Sequence, residues 1–127
     1  MRLPHLALAA SAAAIVLSSC GGGSSTPDVT APADAGLAVF AVPTIRWDAE
    51  SYTAPAGDVK VFLGNNDNVK HILVILDQDS KVVGDLKLTV NKKGESDEGT
   101  VALDPGSYFV YCIVPGHGNM KSALTVS

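Results

Sequence analysis

The chain is poor in the side chains that most often carry chemistry. Of its 127 residues, three are histidine and two are cysteine. Aromatics are also scarce, with one Trp, three Tyr and three Phe, so a core must lean on Val, Leu and Ile. Positive charge is in deficit: nine Lys and Arg stand against thirteen Asp and Glu, for a net charge of −4. Without a basic cluster the chain lacks the electrostatic footprint of a nucleic-acid or polyanion binder. No apolar run reaches the roughly 20 residues that span a bilayer. An apolar fraction of 46% nevertheless suits a globular domain rather than a disordered chain.

The longest run of apolar and small residues, Leu6 to Leu17, follows Arg2 and ends in Leu17-Ser18-Ser19-Cys20. A charged start, an apolar middle of about 7–15 residues and a small-residue cut are the pattern of a secretory signal peptide. Removing residues 1–19 from 127 leaves 108, room for one small domain. Losing Arg2 takes the net charge from −4 to −5. His5 leaves with the leader, so His71 and His117 remain, and Cys112 is the one cysteine inside the domain. A disulfide within the domain is excluded. So are a three-histidine zinc site and multinuclear clusters, and with them most hydrolytic metalloenzyme schemes.

Leu17-Ser18-Ser19-Cys20 resembles the lipobox of bacterial lipoproteins. That resemblance implies lipidation at Cys20, a membrane anchor, and a place in the cell envelope, at the outer face of the cytoplasmic membrane or in the periplasm. Gly21 to Gly36 holds three consecutive glycines, Ser24, Ser25, Pro27 and Pro32, the composition of a flexible tether. As free chain it has a root-mean-square span of roughly 20–24 Å. The expected organisation is a signal peptide over 1–19, a lipidated Cys and tether over 20–36, and one domain over 37–127.

From Leu37 onward the pattern is that of short strands. The expected strands are Leu37–Val42, Ile45–Tyr52, Val59–Leu63, Ile72–Leu76, Lys81–Val83, Leu86–Val90, Thr100–Leu103, Tyr108–Ile113 and Ser122–Val126. Turn formers separate them, among them residues 55–58, 64–68, 91–94 and 104–106. No segment carries a sustained helical period. Seven to nine short strands in a domain of this length predict an all-β, Greek-key β-sandwich. Asp104-Pro105-Gly106-Ser107-Tyr108 fits a tyrosine corner, a structural feature only. Glu95, Asp97 and Glu98 beside Lys92 and Lys93 read as a solvated hairpin tip, and Trp47 and Tyr52 as core and edge packing.

The informative stretch is Tyr-Cys-Ile-Val-Pro-Gly-His-Gly-Asn-Met over residues 111–120. It sets a thiol, an imidazole and a thioether on the loop between the last two expected strands. His71 supplies a second imidazole at the start of another strand, 41 residues before Cys112. In a sandwich, the start of one strand and the end of another share a pole, so these side chains can converge. Two nitrogens and a thiolate with a weak axial thioether are the donor set of a blue copper site. Thiolate and thioether favour Cu(I), imidazole suits both oxidation states, and Cys112 must be deprotonated to bind.

Cys-x4-His-x2-Met near the C-terminus, after an upstream His that follows an Asn-rich turn, resembles the cupredoxin family of small blue copper proteins such as plastocyanin, azurin and amicyanin. The resemblance covers roughly Gly36 to Ser127. It implies one type 1 copper ion with His71, Cys112 and His117 as equatorial ligands and Met120 as the axial one. It further implies that His117 is the partly exposed ring through which electrons reach a partner. Many members carry Asn directly after the first histidine, tying the two ligand loops together. Ile72 stands there in this chain, so the tie is missing or is supplied by Asn66, Asn68 or Asn119. The gap between His117 and Met120 is at the short end of the family range. A binuclear copper centre is excluded for want of a second loop cysteine.

The expectation is thus a monomeric, lipid-anchored carrier that shuttles one electron between envelope redox proteins, with no nucleic-acid partner. It is not an enzyme by itself, because four ligands leave no open position for substrate. Val114, Pro115, Gly116 and Gly118 offer an uncharged docking pole, with Lys70, Asp67 and Lys121 the nearby charges. The competing readings are a copper-capture or delivery module using the same ligands, and a metal-free accessory sandwich.

Overall fold

The computed structural model describes residues 28–127. The leader, Cys20 and the first part of the tether lie outside the described residues. Among the described residues nine strands form: β1 Leu37–Val42, β2 Arg46–Trp47, β3 Ser51–Ala54, β4 Gly57–Asn65, β5 His71–Leu76, β6 Leu88–Val90, β7 Ser96–Leu103, β8 Gly106–Cys112 and β9 Lys121–Val126. They build two mixed sheets, β2-β1-β4-β7 and β3-β9-β8-β5-β6. The chain passes from one sheet to the other at β2–β3, β3–β4, β4–β5, β6–β7 and β7–β8. Parallel pairs join β1 to β4 and β3 to β9, and the remaining ladders are antiparallel.

Alternation decides which face goes inside. In β9 every second residue (Ser122, Leu124, Val126) is buried, and in β1 the buried set is Leu37, Val39 and Ala41. That period of two is what a pleated strand with one covered face requires. The facing side chains interdigitate into one core around Val39, Val61, Leu63, Leu73, Ile75, Val110 and Leu124. Cys112 and Met120 belong to that same core. Tyr108 donates to the Asp104 carbonyl at 2.8 Å, closing the expected tyrosine corner.

Three expected elements differ. Ile45–Tyr52 is two strands in different sheets. The left-handed Thr44 and Ile45 (φ 77° and 57°) form the turn before β2 and delay it to Arg46. The chain then switches sheets between Trp47 and Ser51, where Asp48 N–H donates to the Phe40 carbonyl and Asp48 Oδ1 accepts the Phe40 N–H. Lys81–Val83 is not a strand; its ladder is a single Leu76–Val82 bridge. The acidic segment is not a hairpin tip either, since β7 starts at Ser96 and Glu98 pairs with Phe62 of β4. Its acids are used: Asp97 accepts the Thr89 N–H and Glu95 the Asn91 N–H. Packing also extends upstream of Leu37, into the segment expected to be tether. Val29 N–H donates to Asn66 Oδ1, Gly36 N–H donates to the Lys60 carbonyl, and Lys60 pairs with Asp34.

Candidate metal centre

His71 opens β5 and Cys112 closes β8. The strands are antiparallel with Leu73 opposite Cys112, and the pairing continues through the Ile113 N–H to the Ile72 carbonyl at 3.1 Å. The start of one strand and the end of the other therefore share a pole. Alternation puts His71 and Leu73 on one face of β5, and Cys112, opposite Leu73, on the same inward face. Both His71 and Cys112 are fully buried.

The loop after β8 brings the rest. His117 N–H donates to the Val114 carbonyl at 3.0 Å and Met120 N–H to the His117 carbonyl at 2.9 Å. These two chained turns fold the loop back until Cys112 N–H meets the Met120 carbonyl at 3.1 Å. Gly116 takes φ 88°, a left-handed conformation that glycine adopts without a Cβ clash. Trp47, buried on β2, donates its indole N–H to the Met120 carbonyl at 3.1 Å. Asn119 reaches the Ile45 carbonyl at 3.1 Å. The short β1–β2 connection thus holds the loop from its far side.

The result is one compact cluster. One donor atom each from His71, Cys112 and His117 lie within 4.8 Å of one another. Cys112 Sγ is 3.6 Å from His117 Nδ1, and the two imidazole rings stand 5.0 Å apart at 45°. Solvent reaches only His117 among the three, and only to 8%, so that ring is less open than the partly exposed one expected. Met120 is buried in the core that also holds Cys112, 1% exposed.

Sequence reading passed over the residues that orient His71. Its Nε2 lies 3.1 Å from Asp67 Oδ2, with the His71 side chain 0% and the Asp67 side chain 7% exposed. The other carboxylate oxygen accepts the Asn68 N–H at 2.8 Å. Asn65, fully buried, braces the turn by accepting the Asp67 N–H and donating to the Val69 carbonyl. Asp67 is therefore not the surface charge expected at this pole. The signal for it was present, a carboxylate four residues before a histidine, but within an Asn-rich turn it reads as a turn former. None of the three asparagines considered ties the two ligand loops: Asn66 bonds Val29 N–H and Asn119 bonds the Ile45 carbonyl. Among the described residues, Asn68 forms no side-chain hydrogen bond. The tie is the backbone bond between Ile113 and Ile72.

Burial holds the His71 imidazolium below its ordinary pKa, the Asp67 hydrogen bond and charge oppose that, and His117 adds a smaller push downward. With Nε2 taken by Asp67, the nitrogen left for the cluster is Nδ1, which is buried and has no hydrogen-bond partner. A buried polar atom left unpaired costs free energy unless something binds it. A soft thiolate, two imidazoles and an unsatisfied buried nitrogen fit a copper ion.

No family model and no curated protein matches the chain. Solved structures do. The chain is similar to auracyanin A, a "blue" copper protein from Chloroflexus aurantiacus, at 20% identity and TM-score 0.60, covering 71% of this chain and 96% of that one. It is similar to the dithionite-reduced auracyanin of Roseiflexus castenholzii at 20% identity and TM-score 0.58, covering 72% and 95%. A purple cupredoxin from Nitrosopumilus maritimus matches at 22% identity and TM-score 0.56, covering 71% and 98%. Topology, coverage and the buried cluster converge: the described domain has the cupredoxin fold, and its His–Cys–His pole is consistent with that family.

Proposed function

We propose that the protein is a one-electron carrier in which His71, Cys112 and His117 would hold a single copper ion, with Met120 as a fourth, weaker donor. The observation that carries this reading is the buried cluster of three donor side chains within 4.8 Å of one another at one pole of the sandwich. Bound copper would supply a one-electron couple that thiolate and imidazole donors accommodate in both oxidation states. Cys112 gives up its Sγ proton on binding. His71 offers a neutral nitrogen from a rigid strand start. His117 is the donor that solvent reaches, and so the one nearest an arriving partner. Four donor side chains would leave the ion no open position for substrate, so we read the protein as a carrier and not an enzyme by itself.

The pole suits apolar docking. Among the described residues, the exposed large hydrophobics are Val69, Val82 and Ile113. Val69 and Ile113 lie in the two ligand loops, and Pro115, Gly116 and Gly118 are exposed and uncharged. Partner reduction rates should therefore change little with ionic strength; a steep fall with salt would count against this docking face. We further read the protein as a monomer exported to the bacterial envelope and anchored by lipid at Cys20, serving envelope redox proteins. Two acyl signals hold a protein stably to a bilayer where one is marginal, and mass spectrometry of the purified protein's N-terminus tests this.

The central test is the visible and electron paramagnetic resonance spectrum after one equivalent of Cu(II). An intense thiolate-to-copper band with small copper hyperfine splitting, absent in Cys112→Ser, is the expected result. A pale product with thiol oxidation would overturn it in favour of copper capture or delivery, and a preference for zinc would remove the electron-transfer role.

A further inference from the structure

From the Asp67–His71 pair we infer that Asp67 is a positioning residue, selecting the one imidazole tautomer of His71 that presents a lone pair to the cluster. The inference rests on the copper reading above for its purpose, but its geometry stands independently of any metal.

A carboxylate only accepts hydrogen bonds. Asp67 Oδ1 already accepts the Asn68 N–H at 2.8 Å, and Oδ2 faces His71 Nε2 at 3.1 Å. The proton of the neutral ring is thereby assigned to Nε2. The lone pair then belongs to Nδ1, the nitrogen that is buried and without a partner. Both members of the pair are shielded from water, so no solvent molecule competes for Nε2. Asn65 fixes the turn through its bonds to Asp67 N–H and the Val69 carbonyl, which keeps the carboxylate aimed at the ring. A carboxylate behind a ligating histidine also raises the donor strength of the opposite nitrogen. That favours Cu(II) over Cu(I), and a tenfold shift in their relative affinities is 59 mV for a one-electron couple.

Chemistry at Asp67 separates positioning from mere structure. In Asp67→Asn the amide oxygen stays on the Asn68 N–H, because turning the NH2 there would set donor against donor. The NH2 then faces His71 Nε2, which must become the acceptor. The ring proton moves to Nδ1 and blocks the cluster. In Asp67→Ala neither nitrogen is favoured and both tautomers coexist. Zn(II) binding, measured by competition with a chromophoric chelator, should weaken most in Asp67→Asn, by roughly 10–100-fold, and less in Asp67→Ala. A merely structural role gives the opposite order, since Ala discards both hydrogen bonds while Asn keeps the shape.

The deciding experiment is nitrogen-15 NMR of the metal-free protein at neutral pH, reading the His71 ring nitrogens. The proposal expects Nε2–H in the wild type, Nδ1–H in Asp67→Asn and a mixture in Asp67→Ala, with the amide spectrum otherwise native. Nδ1–H in the wild type, an unchanged tautomer in Asp67→Asn, or a larger Zn(II) loss in Ala than in Asn would each overturn it. Should Asp67→Ala not fold, the Asp67→Asn tautomer alone decides. A protein that shows the expected tautomers but no blue copper spectrum would refute the electron-carrier reading and leave this one standing. The blue spectrum with an unmoved tautomer would do the reverse.

Discussion

At the scale of single residues, the ligand pole is held by groups that the composition made look ordinary. Trp47 is a buried aromatic whose one polar atom binds the Met120 carbonyl, as buried indoles usually require. Trp47→Phe keeps most of the packing and removes that donor, leaving the carbonyl to Cys112 N–H. The expected loss is about 1 kcal/mol in chemical denaturation, together with a shifted spectrum of the loaded protein. Two glycines make a contrasting pair. At Gly116 a Cβ would meet nothing within 4 Å, yet φ is 88°. Gly116→Ala should therefore cost roughly 1–2 kcal/mol through backbone strain alone. At Gly64 a Cβ would come within 2.7 Å of Phe40 Cδ1 and 3.0 Å of Val29 Cγ1. Gly64→Ala should cost about 1–3 kcal/mol by overpacking, and removing residues 28–36 should relieve part of it.

At the scale of elements, legibility followed how strongly local chemistry marked each strand. β1, β5, β8 and β9 were readable to within two residues at either end, because alternation or a continuous apolar run lay between clear turn formers. The break after Trp47 was not, since it is made by Asp48 bonding the Phe40 N–H and the Tyr52 hydroxyl, and only tertiary contacts reveal it. The acidic start of β7 was hidden for a similar reason: Asp97 and Glu95 look solvated until their partners Thr89 and Asn91 are placed beside them. The donor set was legible because its chemistry is concentrated in one loop, whereas the orienting carboxylate depends on burial, which no spacing announces.

The β2–β3 connection makes its own prediction. Tyr52 on β3 donates to the Asp48 carboxylate and accepts the Ala49 N–H. Burial, then the Asp48 hydrogen bond and charge, hold its phenol far above the ordinary value of 10.0. An unfolded chain ionises there near pH 10 while the folded one keeps its proton. The stabilisation is thus complete below pH 10 and is lost as pH rises beyond it. Alkaline denaturation should be steeper in the wild type than in Tyr52→Phe, which should be the less stable variant at pH 7 by about 1 kcal/mol.

At the scale of the whole molecule, the core and the metal pole are one body. Cys112 and Met120 are core residues as well as expected ligands, so site geometry inherits the rigidity of close packing. Metal binding should stabilise the native state alone, by about 4.1 kcal/mol when free metal is 1,000 times its dissociation constant. The melting temperature should rise on loading in the wild type and stay put in Cys112→Ser. An equal rise in both would mean the ion binds elsewhere.

The pairing of Leu73 with Cys112 ties the colour of the loaded protein to the alignment of its strands. A slip of one residue between β5 and β8 would turn His71 outward while leaving Cys112 and His117 together on their loop. A chain in the wrong alignment would still be folded, compact and rich in sheet, but it would be colourless. The tint of a loaded sample is then an optical gauge of strand alignment, and a screen by eye for variants that have lost their place in the ladder.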